Sequence, residues 1–472
     1  MPGDPDLIAA VRNERGLART LTASQQAMVA IGGAIGTGLF LGSGLSVGVA
    51  GPAVIISYLI AAGITSLLAV ALTEMAVAHP TAGSFGVYAG MYVSPFAGYA
   101  VRISYWLMQV IAVGGHLVAV SIYMQFWFPG VPAALWILAF SIALIYLNTR
   151  AVSVFGSFEY WLSFVKVVAI AVFVVLGLSL MLRFQGDAAI GFHNLRAHKG
   201  FAPFGATGIW LGACLAIYSF IGVEIVGITS GEAVDPERTI PRAMRRMVLI
   251  LCLVYIVAVT VLVGIVPWTL IGISESPFVM VLRRTGIPAA ASVMNAVVLV
   301  AALSSANACL YLIARALFSL ARAGFVPAVL GATSARAVPV NALLVSSAGL
   351  GGAVLVRALW PDSAYMWFFA VSLFGALFVW LMIFVTHLAF RRHHARQGPA
   401  VLPVRRPFSR LASMAGACGV AAILATAWWV PGMRFTVLAG PPWLLALAVG
   451  YWYSAGSAPP VLPGSSQQGV DV

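Results

Sequence analysis

Three ionisable residues, His116, Lys166 and Glu224, lie within long apolar runs of this sequence. Charge is costly in an apolar environment, so each residue is a functional candidate. Loss of water favours the neutral form of a carboxyl or an amine, and Lys166 and Glu224 are therefore candidates for proton coupling. Glu224 is alternatively a partner for a substrate ammonium, or a buried glutamate bonded to backbone. Lys166 is alternatively a snorkelling side chain, and His116 a hydrogen-bonded core residue.

Two segments rich in glycine lie in the same kind of run. One is Gly32-Gly33-Ala34-Ile35-Gly36-Thr37-Gly38, and the other is Tyr218-Ser219-Phe220-Ile221-Gly222-Val223-Glu224, followed by Gly227. Glycine at this density weakens a helix. Close helix packing through small residues is one explanation. The other, which we favour, is a pair of discontinuous helices, whose open backbone groups are tolerated only where they line a cavity.

A helix break offers two kinds of backbone group. Carbonyls end the first half, near Ile31 to Ala34 and near Tyr218 to Ile221, and N–H groups begin the second half, near Thr37 and Gly38. Such a site suits a zwitterion, so we expect an amino acid. The candidate substrate-binding residues are Ile31, Gly32, Gly33, Gly36, Thr37, Gly38, His116, Tyr218, Ser219, Phe220, Ile221, Glu224 and Ser305. Alternatively, Ser305 forms a hydrogen bond that only holds two helices together, and the same alternative applies to Ser304 and Asn307.

Composition places these residues in a membrane. Of 472 residues, 61% are hydrophobic and 8% are charged, whereas a soluble domain carries about 25% charged residues. We therefore predict an all-α polytopic membrane protein with twelve transmembrane helices. The predicted spans are 26–48, 53–77, 97–126, 131–148, 155–182, 207–230, 243–267, 289–318, 339–357, 364–389, 412–430 and 435–453.

The basic residues predict the orientation. Most of the 26 lysine and arginine residues flank the spans on the side that an N-terminus in the cytoplasm defines as cytoplasmic. This distribution follows the positive-inside rule and places both termini in the cytoplasm. The net charge of +13 forms no basic stripe, so we expect no nucleic-acid partner and instead expect contact with membrane lipid. Glu74 and Glu159, near cytoplasmic ends of spans, are expected to be structural anchors.

The two suspected breaks lie five helices apart, which predicts an inverted repeat. The predicted segments are a cytoplasmic N-terminal segment at 1–23, a first five-helix repeat at 24–182, an extracytoplasmic loop at 183–206, a second repeat at 207–390, a basic cytoplasmic loop at 391–411, two additional helices at 412–453 and a disordered tail at 454–472. Residues 231–241, with two prolines, are expected to form a structured cytoplasmic loop.

An enzyme is a weaker interpretation. The cysteines Cys214, Cys252, Cys309 and Cys418 lack metal-ligand spacing, and the histidine pairs at 193/198 and 393/394 lack a nearby carboxylate. There is no nucleotide-binding loop or nucleophile motif. We therefore expect no catalytic residues, no metal and no cofactor.

The motifs at these positions resemble those of the bacterial amino acid transporter family, within the amino acid–polyamine–organocation superfamily. The resemblance covers residues 18–455. Its strongest part is Glu224–Ala233 followed by Asp235-Pro236-Glu237 and Ile240–Ala243; further parts are Ile31–Phe40, Ala50-Gly51-Pro52 leading to Glu74 and Pro80, Trp161–Ile170 with Lys166, and Ser305–Pro327 with Asn307, Tyr311, Arg315 and Gly324.

This resemblance implies a LeuT-type five-plus-five inverted repeat with two additional C-terminal helices, in the bacterial inner membrane. It implies proton-coupled uptake, with Lys166 and Glu224 matching the family's lysine in span 5 and glutamate in span 6. Thr73 and His116 depart from the pattern, which commonly has Gly and an acid there. The change at His116 argues against a cationic substrate, so we expect a neutral L-amino acid. An amino acid exchanger and a non-transporting sensor remain alternatives.

Overall fold

The computed structural model of the chain describes residues 31–81, 83–149, 152–183, 191–334, 338–396 and 408–457. The expected N-terminal segment 1–23 and nearly all of the expected tail lie outside these residues. Every regular element among the described residues is a helix. The α-helices are α1 Thr37–Phe40, α2 Ser43–Ala50, α3 Val54–Ala78, α4 Ser84–Tyr92, α5 Pro95–Gln125, α6 Ala133–Asn148, α7 Val152–Arg183, α8 Gly205–Ala216, α9 Ile225–Ile228, α10 Pro236–Ile265, α11 Pro277–Arg284, α12 Ala290–Arg322, α13 Val340–Ser346, α14 Ala348–Leu359, α15 Ala364–Ala395, α16 Ser409–Thr426 and α17 Arg434–Ser457.

Ten helical stretches of the described residues are long and apolar enough to cross a membrane, which bears out a polytopic membrane protein. One of these stretches, Ser43–Ala78, joins α2 to α3 through the bend at Gly51, where φ is +61°. Two shorter apolar helices, Ile31–Phe40 and Ala133–Asn148, come in addition.

The helix α5 lies at the centre of the bundle. In its most apolar part 83% of the residues are buried, and it packs against α12, α14 and α15. The corresponding fractions are 28% for α7 and 22% for α17, whose outward side chains include the exposed Val175 and Leu445. Apolar side chains on the outside of such helices are suited to contact with lipid.

The carboxylate of Glu74 joins three helices. Its Oε2 lies 2.9 Å from Nε2 of His387 and 3.5 Å from Nη1 of Arg391, both on α15. Nδ1 of the same His387 lies 2.7 Å from Oγ of Ser413 on α16. These contacts hold α3, α15 and α16 together, which is the anchoring role predicted for Glu74. The side chain of Glu159 lies outside the described residues.

Two helix ends differ from the expected loops. The helix α15 continues to Ala395, past the end of the predicted repeat at 390, so His393 and His394 are helical. Basic residues in a last helical turn interact favourably with the helix dipole and do not end the helix. The helix α10 begins at Pro236 within the predicted loop 231–241. Proline suits a first helical position, because its missing N–H would have no partner there.

Candidate functional site

The first glycine-rich segment is a broken helix. Residues 31–34 are helical, Gly36 is extended with φ −145° and ψ −152°, and α1 then begins at Thr37. No side chain caps the start of α1. A Cβ atom on Gly36 would lie 2.7 Å from Oγ of Ser305 and 3.6 Å from Cε1 of His116. Glycine therefore leaves room for Ser305 where α5 and α12 approach the break.

Side chains from four helices bind the carbonyl oxygens of this break. The distances are 2.8 Å from Nζ of Lys166 to Gly32, 3.1 Å from the hydroxyl of Tyr255 to Ala34, 3.4 Å from Oγ of Ser305 to Ile35 and 3.1 Å from the hydroxyl of Tyr365 to Thr37. The open carbonyl groups of Gly32, Ala34 and Ile35 are thus satisfied inside an apolar bundle, as buried backbone groups must be. The carbonyl of Thr37 also accepts from the backbone N–H groups of Leu41 and Gly42.

Lys166 is fully buried. Besides the bond to Gly32, its ammonium donates to Oγ of Ser305 at 3.3 Å. The side chain therefore connects α7 to the first break and to α12. A buried ammonium with oxygen partners is a bound cation rather than a snorkelling one, because its head group does not reach the bilayer surface.

The second glycine-rich segment is also broken. The helix α8 tightens into a 3₁₀ turn at Ile217–Phe220, Ile221 is extended, and Gly222 has φ +111°. A residue with a side chain rarely adopts that φ, and a Cβ on Gly222 would also lie 3.0 Å from Cα of Ala34. The short helix α9 follows from Ile225 to Ile228.

Glu224 lies just after this second break and is fully buried. Its Oε2 accepts hydrogen bonds from the backbone N–H of Gly222 at 3.0 Å and from Nε1 of Trp380 at 3.3 Å. Its Oε1 has no hydrogen-bond partner among the described residues. Two hydrogen bonds thus hold Oε2 in place, whereas Oε1 accepts none from the described residues.

The two breaks touch each other. Oγ of Ser219 donates to the carbonyl of Gly38 at 2.9 Å. A Cβ on Gly38 would lie 3.1 Å from Cα of Ser219, and one on Gly33 would lie 2.6 Å from Cδ1 of Ile225. The glycines therefore allow the two broken segments to pass close to each other.

His116 on α5 faces the first break. Its Nδ1 lies 2.8 Å from Oγ1 of Thr37, and its Nε2 lies 3.8 Å from Sγ of Cys309. Both ring nitrogens therefore have neighbours, and the imidazole links α5 to α1 and α12. The polar group that the sequence places in mid-span is thus directed at the unwound segment.

Aromatic rings form one wall beside the breaks. The rings of Tyr218 and Phe369 are 4.2 Å apart, and those of Tyr365 and Phe369 are 6.2 Å apart. The hydroxyl of Ser372 donates to that of Tyr218 at 3.2 Å. Aromatic walls of this type pack well against another ring.

The model of the amino acid permease family matches residues 25–462 of this chain. The chain belongs to the amino acid permease family. It is 37% identical over 436 residues to the aromatic amino acid transport protein AroP of Escherichia coli strain K12, covering 91% of this chain and 94% of that protein. The AroP protein of Salmonella typhi is 37% identical over 429 residues, 90% of this chain and 93% of that protein. An uncharacterized amino acid permease of Bacillus subtilis, YtnA, is 32% identical over 443 residues, 93% of this chain and 96% of that protein.

Membership confirms three expectations. The permease is a transporter rather than an enzyme, its substrate class is amino acids, and it is a multi-pass protein of the inner membrane. The resemblance stated from the motifs is also confirmed.

The structure of the permease brings most of the candidate residues together. Gly32, Gly33, Gly36, Thr37 and Gly38 of the first break contact Lys166, His116, Ser305 or the second break. Phe220 lies elsewhere, because its ring packs against Tyr58 and Tyr255 at 6.2 and 5.0 Å. Asn307 accepts from Asn148 at 2.8 Å, so it joins α12 to α6.

Sequence reasoning missed three side chains in this region of the permease. The hydroxyls of Tyr255 and Tyr365 bind the first break, and the indole of Trp380 binds Glu224. A buried tyrosine or tryptophan needs a partner for its polar end, so their positions within apolar spans were an available signal.

Among the described residues, no group of three or more His, Cys, Asp or Glu side chains is arranged to hold a metal. No two of the four cysteines form a disulfide bond among the residues that the structure describes.

Proposed function

We propose that this permease takes up a neutral, aromatic L-amino acid together with a proton, by alternating access. The observation that carries the proposal is the contact between the two helix breaks, made by Ser219 with Gly38 and by Gly222 against Ala34. Broken helices at membrane depth mark substrate sites in transporters, because their ends present free backbone groups.

The proposed architecture has twelve spans. It counts the broken α1–α2 segment and α3 as separate spans and includes α6. Each repeat contains five spans, an odd number, so the second repeat enters the membrane from the opposite side, in the LeuT-type arrangement. The basic residues support cytoplasmic termini.

Substrate is proposed to bind with its carboxylate at the N–H groups near Gly36, Thr37 and Gly38, where α1 begins without a side-chain cap. The carbonyls of the first break already accept hydrogen bonds from side chains. The substrate ammonium is therefore directed to the carbonyls of the second break, near Tyr218 to Ile221.

Two features favour a neutral aromatic substrate. His116, rather than an acid, faces the first break, so a cationic side chain would lack a counter-charge there. The rings of Tyr218, Tyr365 and Phe369 supply an apolar wall for an aromatic side chain. The names of the AroP relatives agree with this choice.

Lys166 and Glu224 are proposed to couple transport to protons. The ammonium of Lys166 occupies the place that a coupling cation would take, between the first break and α12. The unused Oε1 of Glu224 is buried, and a proton there relieves the cost of an unpaired charge. Both groups adjoin the site where substrate is proposed to bind.

Uptake by purified protein in liposomes tests the proposal. Labelled phenylalanine, tyrosine and tryptophan are each supplied with and without an inward proton gradient, beside leucine and lysine. We expect gradient-driven uptake of the aromatic amino acids and none of lysine. Competition by lysine or arginine alone would contradict the neutral assignment.

The variant Glu224→Gln separates coupling from binding. Glutamine can accept the same bonds from Gly222 and Trp380 but cannot titrate. We expect exchange of labelled for unlabelled substrate to persist and the effect of the gradient to vanish. Glu237→Gln, which changes an exposed glutamate of α10, is the matched control and should behave as the wild type.

Two other functions predict different results. An exchanger shows counterflow in de-energised vesicles and no response to the gradient. A sensor binds an amino acid saturably with no flux under any condition.

A further inference from the structure

A separate cavity lies where α5 ends and α12 begins. Its volume is about 440 Å³, within the range of small-molecule sites. Its wall combines Glu275 and Arg283 with the apolar Ile122 and Phe126. In the proposed orientation this cavity opens on the outer side of the membrane.

The charges of the cavity match those of a zwitterion. Nη2 of Arg283 lies 2.6 Å from Oε2 of Glu275, and their side chains are 55% and 25% exposed. A carboxylate accepts about four hydrogen bonds and a guanidinium donates five, so the pair retains capacity for a ligand. Phe126 lies beneath Arg283, with the guanidinium carbon 5.6 Å from the ring centre. The wall therefore offers an acid, a base and an apolar surface together.

A buried hydroxyl lies on the inner side of the same cavity. Tyr123 is 1% exposed, and its hydroxyl has no hydrogen-bond partner among the described residues. Its backbone carbonyl accepts from Nδ2 of Asn295, which also lines the cavity. Tyr123 thus places an unpartnered hydroxyl at the buried end of the cavity.

A second cation, Arg357, adds to the field at this end of the bundle. Nη2 of Arg357 donates to Oε1 of Gln125, another residue of the wall, at 3.1 Å. The surrounding charge is therefore more favourable to a carboxylate than to an additional positive charge.

We propose that this cavity is a second binding site for a neutral amino acid, occupied before the substrate reaches the helix breaks. Glu275 binds the ammonium, Arg283 binds the carboxylate, and the side chain lies against Phe126 and Ile122. The hydroxyl of Tyr123 supplies the next hydrogen bond on the path inward. The inference rests on the proposed function, because it takes the same substrate and the same orientation.

Equilibrium binding of labelled phenylalanine to the purified full chain tests the site. We expect the wild type to bind a second molecule that Glu275→Gln and Arg283→Gln do not bind. A partly exposed ion pair contributes little to stability, so both variants should fold. Arg284→Gln removes the neighbouring charge on α11 and should keep wild-type binding.

Uptake kinetics give an independent readout. Loss of a charged contact on the path should raise KM about tenfold and leave the maximal rate unchanged. A single bound molecule in the wild type, or variants with the KM of Arg284→Gln, would overturn the inference. Failure of the proposed function is distinguishable, because then the wild type itself takes up no phenylalanine.

The variant Tyr123→Phe tests the inward step separately. It removes only the hydroxyl and keeps the ring. We expect both molecules to bind and the rate of uptake to fall. An unchanged rate would exclude Tyr123 from the path.

Discussion

The ammonium nitrogen of Lys166 lies 2.8 Å from the carbonyl oxygen of Gly32. These residues are on different helices, and Gly32 belongs to the segment where the first span loses its helical hydrogen bonds. The bond gives the carbonyl of Gly32 a donor in place of the backbone N–H that the helix break removes. It makes the conformation of the first break dependent on a charge carried by α7.

Removing that charge should impair transport more than folding. A hydrogen bond to a charged group contributes about 1.5–3 kcal/mol, so we expect Lys166→Ala to reduce gradient-driven uptake at least about tenfold. Lys166→Met restores the volume of the side chain without its charge. We expect it to recover the melting temperature but not uptake. Uptake by Lys166→Met at the wild-type rate would show that packing alone matters.

The close approach of Ser305 to Gly36 leads to a second prediction, which concerns uptake by a variant with a larger residue at position 36. In Gly36→Ala the new methyl group would overlap Ser305, and overpacking costs about 1–3 kcal/mol. We expect loss of most uptake. The double variant Gly36→Ala/Ser305→Gly removes the overlapping atoms and should recover part of it.

The control for this pair lies in the same span. A Cβ on Gly48 would meet no atom within 4 Å, so Gly48→Ala should transport as the wild type does. Equal losses in Gly36→Ala and Gly48→Ala would mean that helix flexibility, and not the contact with Ser305, is responsible.

The buried contacts of Glu74 predict a change in stability. Glu74→Ala leaves His387 and Arg391 without their shared carboxylate, and removal of one partner from a buried pair costs about 3–5 kcal/mol. We expect a clear fall in the thermal unfolding midpoint of the protein in detergent.

The exposed pair of Asp235 and Arg238 is the matched control. Their side chains are 53% and 75% exposed, and such pairs contribute about 0–1 kcal/mol. Asparagine tolerates the positive φ of Asp235, so Asp235→Asn should leave the midpoint nearly unchanged. A larger fall in Asp235→Asn than in Glu74→Ala would refute the anchoring role.

The buried His79, which follows α3, should make the stability of the protein depend on pH. Burial lowers the pKa of His79 from 6.5 to about 4, with a further contribution from His394 and His393. Its Nε2 lies 2.6 Å from the hydroxyl of Tyr92. Between these two pKa values the unfolded chain binds more protons than the folded one. The contribution of His79 to stability is therefore complete above pH 6.5 and is lost as the pH falls towards 4.

Melting temperatures measured between pH 7.5 and 5 check this sign. We expect the wild type to lose stability on acidification and His79→Gln to lose less. Tyr92→Phe retains the imidazole and should keep the wild-type slope. Parallel curves for the wild type and His79→Gln would refute the assignment to His79.

The sequence predicts the two helix breaks well because glycine acts locally. Gly222 is required by its positive φ and by the close approach of Ala34, and Gly36 leaves room for Ser305. Both positions are indicated by residue type and spacing. Lys166 and Glu224 are visible for a similar reason, since a charge in an apolar run is costly whatever its partner. The bundle of apolar helices follows from composition alone.

Other features depend on the arrangement of helices in space. Tyr255 and Tyr365 look like ordinary residues of apolar spans, and only the tertiary fold brings their hydroxyls to Ala34 and Thr37. The helix ends at Pro236 and Ala395 differ from the expected loops, because prolines and a cluster of basic residues interrupt the apolar pattern. At a first turn proline is compatible with a helix, and at a last turn basic residues favour it.

The bonded carbonyls of Gly32, Ala34 and Ile35 at the first break have a kinetic consequence. Their donors belong to α7, α10 and α12, so movement of the segment away from these helices leaves the carbonyls without donors. Each stranded acceptor in the interior costs about 1–3 kcal/mol, which makes partly detached states scarce. We therefore expect the segment to have two stable positions and to move between them in one concerted event during transport.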